Sequence, residues 1–507
     1  MKTTMLSPLL WIILATSTSW AESVINVTNL NQTLKKQNAT WVAKDNWLTQ
    51  LPKAEVKRMM GLQQAPAVDV EFVVPQQMNT QDVLPATLDW RNKDGRNWVS
   101  PILNQGSCGS CVAFAAIGVL ETQLNISSLL PNLNIRLSPS HLFSCGGGAC
   151  NYGWMPESAA RQLLRSGVTD EACMPYLSGA TGEDVACNSA CADVAQRTYK
   201  ISNYTTPTSY AKNVDSVKRA LQHGPVMTSL SVYADFMSYA GGVYKHTTGE
   251  YLGGHAISII GYDDTTQSFI IRNSWGEDWG EGGFGHVAYS DSSGVGSSTW
   301  GFDVPAMGGA VSMLSPRDYT YVTGATNFQA ESTIQATDAV NFAVYGPGNK
   351  SAVWASSCTG ANCTANFDSM KLADGRYEIQ AVATNAHGDN LGTSTRQFFY
   401  VVNKAPTLSL SFKGKTDLSR PVSDRIEFAI TTQSSSVPMS SLEFHFKDAS
   451  GKETTRVSNV VLPSMVTGWR TNLVPNGKYE IWMVGRLKSN SMDLNTESQH
   501  YTVTVQN

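Results

Sequence analysis

No block of like charge runs through this chain. Charged residues make up 15% of its 507 positions, and the formal net charge is −4. A mildly acidic, mixed surface excludes the basic footprint of a nucleic-acid binder. It also lacks the basic patch that would draw a protein to an acidic membrane. Beyond the N-terminus no apolar run is long enough to span a bilayer, so no transmembrane span is expected. Cys108 and Cys111 form a CxxC, but no second CxxC or histidine pair stands at a spacing zinc would use. No metal and no cofactor is expected. The preceding segment, WRNKDGRNWVSPILNQ, is not the buried strand that a thioredoxin-like dithiol needs. An even count of cysteines is missing too. There are nine: Cys108, Cys111, Cys145, Cys150, Cys173, Cys187, Cys191, Cys358 and Cys363.

The odd count matters because the chain reads as exported. MKTTMLSPLLWIILATSTSWAES has a lysine, an apolar core and small residues ending at Ala21. That is the layout of a secretory signal peptide over residues 1–21. Its apolar core is too short for an anchor. Secretion to the extracellular space brings an oxidising setting, where cysteines pair. Nine cannot all pair, and the one left over is a reactive candidate.

Along the chain the texture changes twice. A polar, Asn-rich stretch to about residue 81 carries a short helical pattern around 47–62. From Asp82 to about Val304 the chain is richer in Trp, Gly and Cys. Helical patterns there cover 111–124 and 156–166. VMTSLSVY, AISIIGYD and SFIIRNSW read as strands. Past residue 310, Ser, Thr and alternating apolar residues dominate. LADGRYEIQAVAT (372–384) is echoed by LVPNGKYEIWMVG (473–485), with Tyr377 and Tyr479 in equivalent places. Two such copies about a hundred residues apart predict two all-β, immunoglobulin-like sandwich domains, 312–403 and 404–507. Lys404-Ala405-Pro406 is the joint between them. Nothing in this tail selects among protein, carbohydrate and cell surface as its ligand.

The remaining reading of the CxxC makes Cys111 a nucleophile at a helix N-terminus, where negative charge is stabilised. Cys108 is then half of a disulfide. A base and an orienting group are required. His255 in GGHAISIIGY and Asn273 in RNSWGEDWGEGGFG supply an imidazole and an amide, and Trp275 could shield the bond between them.

QGSCGSC, GGHA and NSWGEDWG, in that order and at about these spacings, resemble the papain family of cysteine peptidases. Within the family, LPATLDWR and VYADFMSYAGGVYKHTTGEYLGGHA resemble cathepsin B. The resemblance covers about residues 22–305. It implies an α+β, two-lobed, papain-like peptidase over 82–308, with a propeptide over 22–81 acting as its own inhibitor. It implies Gln105 as an oxyanion donor beside the backbone N–H of Cys111. It implies the pairs Cys108–Cys150, Cys145–Cys187 and Cys173–Cys191; Cys358 with Cys363 would staple one loop of the tail. It places Gly109, Gly153 and Trp275 along the path of a polypeptide substrate, and Met155, Ala256 and Pro305 around the side chain two residues before the cut.

The departures are specific. Val112 stands where the family prefers Trp or Tyr, and Tyr152-Gly153 replaces a glycine pair. Asn151 to Ala190 holds no histidine, whereas cathepsin B uses a histidine-bearing loop to remove dipeptides. Glu183 and Asp184 would repel a substrate carboxylate if they faced the cleft. The expectation is therefore a secreted cysteine endopeptidase made as a zymogen. The rival is an idle peptidase fold that acts through its tail, with Val112 as its only support.

Overall fold

The protein is described here from a computed structural model. It covers residues 25–63 and 84–507, apart from 129, 132, 306–308, 348–350, 405–406, 413–417, 424, 433–436, 438, 440, 459–463, 472–473 and 489–492. The signal sequence read at 1–21, and residues 64–81 of the expected propeptide, lie outside the described residues.

Helix α1 (Val27–Lys36) starts on Asn26, whose side chain accepts the N–H of Asn29, and buries Val27, Leu30 and Leu34. Strand β1 (Trp41–Ala43) and helix α2 (Lys53–Met59) follow. Next come β2 (Thr87–Asp89), α3 (Cys111–Ser127), α4 (Pro139–Cys145), α5 (Pro156–Arg165), the one-turn α6 (Ser178–Thr181), β3 (Asn203–Thr205) and α7 (Val214–Leu221). Six strands complete this region: β4 (Val226–Tyr233), β5 (Tyr239–Tyr244), β6 (Tyr251–Asp263), β7 (Ser268–Arg272), β8 (Phe284–Ala288) and β9 (Thr299–Asp303).

Two cores result. Helices α3, α4 and α5 pack into one, with Leu120, Leu142, Phe143, Ala160 and Leu163 buried. Helix α3 is buried from Cys111 to Asn125. Its stretch from Val112 to Leu120 is apolar on every side, which belongs at the centre of a lobe rather than on its surface. The other core lies under the sheet β1-β5-β8-β7-β6-β4-β9-β3, with β2 on β6. The two meet where Ser258 of β6 donates to the carbonyl of Ala115 in α3, 3.1 Å away. β1 pairs with β5, so the N-terminal segment becomes an edge strand of the second lobe. Leu48, Val56 and Met59 are buried in that lobe's core.

The region past 310 is built twice to one plan. Strands β10 (Val311–Ser315), β12 (Ala325–Ser332) and β15 (Asn362–Asp368) form one sheet. Strands β11 (Thr320–Val322), β13 (Ala339–Tyr345), β14 (Ala352–Thr359), β16 (Gly375–Thr384), β17 (Asn390–Thr393) and β18 (Gln397–Val401) form the other. Both sheets contribute to one core around Phe328, Phe342, Phe367 and Phe399. The second copy has β19 (Leu408–Phe412), β20 (Arg425–Thr432) and β23 (Ser464–Arg470) in one sheet. Its other sheet holds β21 (Ser441–Asp448), β22 (Glu453–Ser458), β24 (Gly477–Lys488), β25 (Asp493–Glu497) and β26 (Tyr501–Val505). The echoed tyrosines take the same place in each. Tyr377 donates to the carbonyl of Ala373 at 2.9 Å, and Tyr479 to that of Pro475 at 2.8 Å.

The composition break near 310 is not a break in packing. Ala172 shares a core with Tyr321, Phe398 and Tyr400 of the first copy and with buried residues of the second, among them Phe428, Trp469 and Ile481. Arg376 donates to the carbonyl of Ala172 at 2.8 Å, and Gln397 to that of Asn134 at 2.7 Å.

Candidate active site

Cys111 opens α3 and is the one free cysteine. The other eight pair as Cys108–Cys150, Cys145–Cys187, Cys173–Cys191 and Cys358–Cys363. The first pair ties the turn before α3 to the strand-like segment that follows α4. Gly109 donates to the carbonyl of Cys150 at 3.0 Å, reinforcing the same tie.

His255 enters on β6, opposite Leu230 of β4. Its Nε2 lies 2.8 Å from Oδ1 of Asn273, which follows β7. An amide oxygen can only accept, so Nε2 carries the proton and Nδ1 keeps a lone pair. That Nδ1 is buried with no hydrogen-bond partner. The ring stacks on Trp275 at 4.5 Å, and both are fully buried. Trp275 therefore screens the imidazole–amide bond from water, as a polar pair in a low-dielectric site requires.

Ala256, next to His255, brings its backbone against the Cys111 sulfur, as does Gly61. Burial pushes the thiol up to about 11, and the hydrogen bonds from the backbone of Ala256, Gly61, Val112 and Cys111 itself only partly oppose it. Burial also pulls His255 down to about 4, against the bond to Asn273. Thiol and imidazole are thus both neutral here. Desolvation penalises each charged form.

Gln105 is buried beside them. Its Nε2 donates to the carbonyls of Met59 and Cys108 at 2.9 and 3.0 Å, and its Oε1 accepts from Ser274 at 2.7 Å. A donor of this type suits a developing oxyanion, and the Met59 carbonyl occupies it. The N-terminal segment then continues along the cleft. Leu62 donates to Gly254 at 3.1 Å, Trp154 to Gly61 at 2.7 Å, and Gln63 to Trp154 at 3.0 Å. Gly61 passes so close that a Cβ there would strike the Gly109 carbonyl, and one on Gly153 would strike Gly61. Gly109 and Gly153 thus flank the segment that fills the cleft.

Of the other sequence candidates, Ala256 is buried in the core against which Leu62 packs. Met155 caps α5 and is half-buried. Pro305 lies past β9 and is exposed. Asp184 accepts the backbone N–H of Cys150 at 2.7 Å, so its carboxylate fastens a loop.

Two residues escaped the sequence reading. Ser274 orients Gln105 and sits inside a quoted motif, so it was within reach. Tyr176 was not, because Met174-Pro175-Tyr176 carries no chemical signal. Its hydroxyl donates to the Gln105 carbonyl at 2.8 Å and lies 2.6 Å from the Ser110 hydroxyl.

Comparison with known proteins places this geometry. Residues 84–300 match the papain family cysteine protease. The chain is 32% identical to cathepsin B-like CP3 of Giardia intestinalis over 286 residues, 54% of this chain and 92% of that one. It is 35% identical to cathepsin B-like CP2 of the same organism over 210 residues, 40% and 69% of the two chains. Among solved structures, proCathepsin B S9 from Trypanosoma congolense aligns over 56% of this chain and 99% of its own, with 22% identity and a TM-score of 0.49.

Proposed function

Because the chain belongs to the papain family of cysteine proteases, we propose that this cysteine-type peptidase is a secreted endopeptidase made as a zymogen. In this reading residues 1–21 are a signal peptide, 22–81 the propeptide, 82–308 the peptidase domain, and 312–403 and 404–507 immunoglobulin-like domains. The repeated strand plan and the two tyrosine bonds support the last assignment.

Cys111 is the nucleophile and His255 its base. Nδ1 of His255 takes the thiol proton, and the thiolate adds to the peptide carbonyl. The oxyanion is met by Gln105 Nε2 and the Cys111 N–H. The imidazolium protonates the leaving amine, leaving a thioester, and water drawn through the same imidazole releases the acid. Asn273 holds the tautomer throughout. The observation that carries this reading is the buried, partnerless Nδ1 of His255 on a ring whose other nitrogen is fixed by Asn273. Gly109, Gly153 and Trp275 line the substrate path. Met155, Ala256 and Pro305 surround the side chain two residues before the cut.

The neutral pair and the Met59 carbonyl on Gln105 support latency of the precursor. The histidine-free 151–190 span supports cutting within chains rather than removing dipeptides. Two substrates with one core sequence test this, one ending in a free dipeptide and one extended and amidated. The processed protein should cut both at the core. Stepwise dipeptide release from the free end would overturn endopeptidase action, and failure to cut either would overturn the peptidase chemistry.

A further inference from the structure

Behind the nucleophile, at the joint between the peptidase region and the first β-sheet copy, sits a group of buried charges that the chemistry above does not use. Arg136 lies among Glu171, Glu121, Tyr319 and Asp318. Glu121 and Glu171 are each 1% exposed. Tyr319 and Asp318 come from beyond the composition break, in the link from β10 to β11. Asp318 is fixed there by accepting the N–H of Phe398 in β18 at 2.6 Å. Tyr319 leaves part of its ring open to solvent but turns its hydroxyl inward, donating to Oε1 of Glu171 at 2.6 Å.

Its backbone carries a second sign of constraint. Tyr319 sits at φ 63°. A bulky L-residue is rarely held in the left-handed region unless its surroundings over-determine it. Those surroundings are the Glu171 bond and the edge-on packing of its ring on Phe398, centroids 4.6 Å apart.

The same Glu171 oxygen accepts the backbone N–H of Tyr176 at 2.8 Å. Tyr176 in turn packs edge-on to Phe114 of α3 and holds the Gln105 carbonyl and the Ser110 hydroxyl. Those two residues stand on either side of the turn that delivers Cys111. One continuous chain of bonds thus runs from the first copy to both ends of the turn before Cys111.

We propose that Tyr319 is a positioning residue for the peptidase: through Glu171 and Tyr176 it fixes Gln105 and Ser110, which makes the first sandwich part of the catalytic unit. This rests on the reading of Cys111 as nucleophile and Gln105 as oxyanion donor. A displacement of well under an ångström in an oxyanion donor weakens transition-state binding more than substrate binding, so the loss falls on kcat.

The test uses the full chain after natural processing, with a small peptide substrate and rates expressed per Cys111 thiol titrated by a covalent thiol probe. Tyr319→Phe removes one hydroxyl and keeps the ring. It should lower kcat roughly 3- to 10-fold with KM within about two-fold. Tyr176→Phe should lower kcat at least as much. The double variant should be no worse than Tyr176→Phe alone, because residues in one hydrogen-bond chain do not act independently. Arg376→Gln is the control. It removes the bond to the Ala172 carbonyl at the same joint. Because Arg376 also stacks on Phe398, which packs on Tyr319, the change should lower the unfolding temperature and lower kcat per thiol less than Tyr319→Phe does.

A kcat for Tyr319→Phe within two-fold of the parent would overturn the proposal. So would multiplicative losses in the double variant, or an equal loss in Arg376→Gln. If Tyr319→Phe yields too little folded protein, the rate at which iodoacetamide alkylates Cys111 in Tyr319→Asn decides, asparagine being a residue type that tolerates the left-handed backbone there. A rate equal to the parent's overturns the proposal, and a several-fold change upholds it. A parent chain that cleaves no peptide while its Cys111 is titrated would instead defeat the peptidase reading.

Discussion

Cys111 is covered from two sides, and the covers are made differently. In front, residues 59–63 cross it largely through backbone hydrogen bonds: Met59 to Gln105, Gly61 to Trp154, Leu62 to Gly254. Its apolar anchors, Trp41, Leu48, Val56 and Met59, are buried under the β-sheet. Its ion pair, Lys53 with Glu250, is 43% and 49% exposed. Behind, residues 316–322 reach the same turn through inward-facing groups. A cover made of backbone and surface charge can be stripped by cutting its chain. A cover that buries the Tyr319 hydroxyl on Glu171 cannot leave without breaking that bond and opening the group around Arg136 to water. The front is built for removal and the back for permanence.

Both covers matter only because of the sulfur between them. Cys111→Ala should therefore have the largest effect, with turnover of the processed protein falling to background and the unfolding temperature unchanged. Retained activity would remove the reason for the comparison.

The front cover comes next. Gly61 tolerates no side chain because Gly109 stands against it. Gly61→Val in the precursor should expel the strand from the cleft. Activity on a small peptide should rise toward the processed level, measured before any cleavage of the chain. Unchanged latency would mean that the segment is held by its apolar anchors and not at the thiol.

The pH dependence should change with it. His255 is held near 4 by burial, so below its ordinary value of about 6.5 an uncovered imidazole binds a proton that the covered one refuses. The covered state is thus at full strength above pH 6.5 and loses ground as pH falls toward 4. Iodoacetamide labelling of Cys111 in the precursor should rise across that window, and a flat profile would contradict the assignment.

How much of this was legible follows the same division. Cys111, His255 and Asn273 could be singled out because the proposed chemistry demands particular atoms and those atoms sit in short motifs; Gln105 came only with the family resemblance. The repeated sheets were readable because Tyr377 and Tyr479 close equivalent turns. The back cover was not. Glu171, Tyr176 and Tyr319 lie in unremarkable stretches of sequence and meet only through packing between regions of different composition. Asp184 shows a related limit: the sequence left open whether its charge faces the cleft, and in the structure its carboxylate holds the Cys150 N–H. A charge in a sequence carries no direction.

Stability separates the covers further. Arg136→Met would remove the cation that lies among Glu121, Glu171 and Asp318, with Arg272 still facing Glu121. Taking one charge out of a buried group costs up to about 3–5 kcal/mol, which should appear as a drop in denaturant midpoint. Cys108→Ala belongs in the same range, about 2–5 kcal/mol for a lost native disulfide. A loss under about 1 kcal/mol in Arg136→Met would mean that water enters the joint and that the back is no firmer than the front.

The smallest effect should be at the front's own ion pair. Lys53→Met in the precursor breaks the contact with Glu250, where both side chains are wet and the chain ends are free to move. Exposed pairs contribute about 0–1 kcal/mol and weaken as salt rises. The midpoint for unfolding should hardly move, and what difference there is should vanish in high salt. Latency should be kept, because Met59 and Gly61 still lie across Gln105 and Cys111. If Lys53→Met instead frees the peptidase, the latch is electrostatic rather than steric. Gly61 would then be a bystander in the strand that Lys53 holds down.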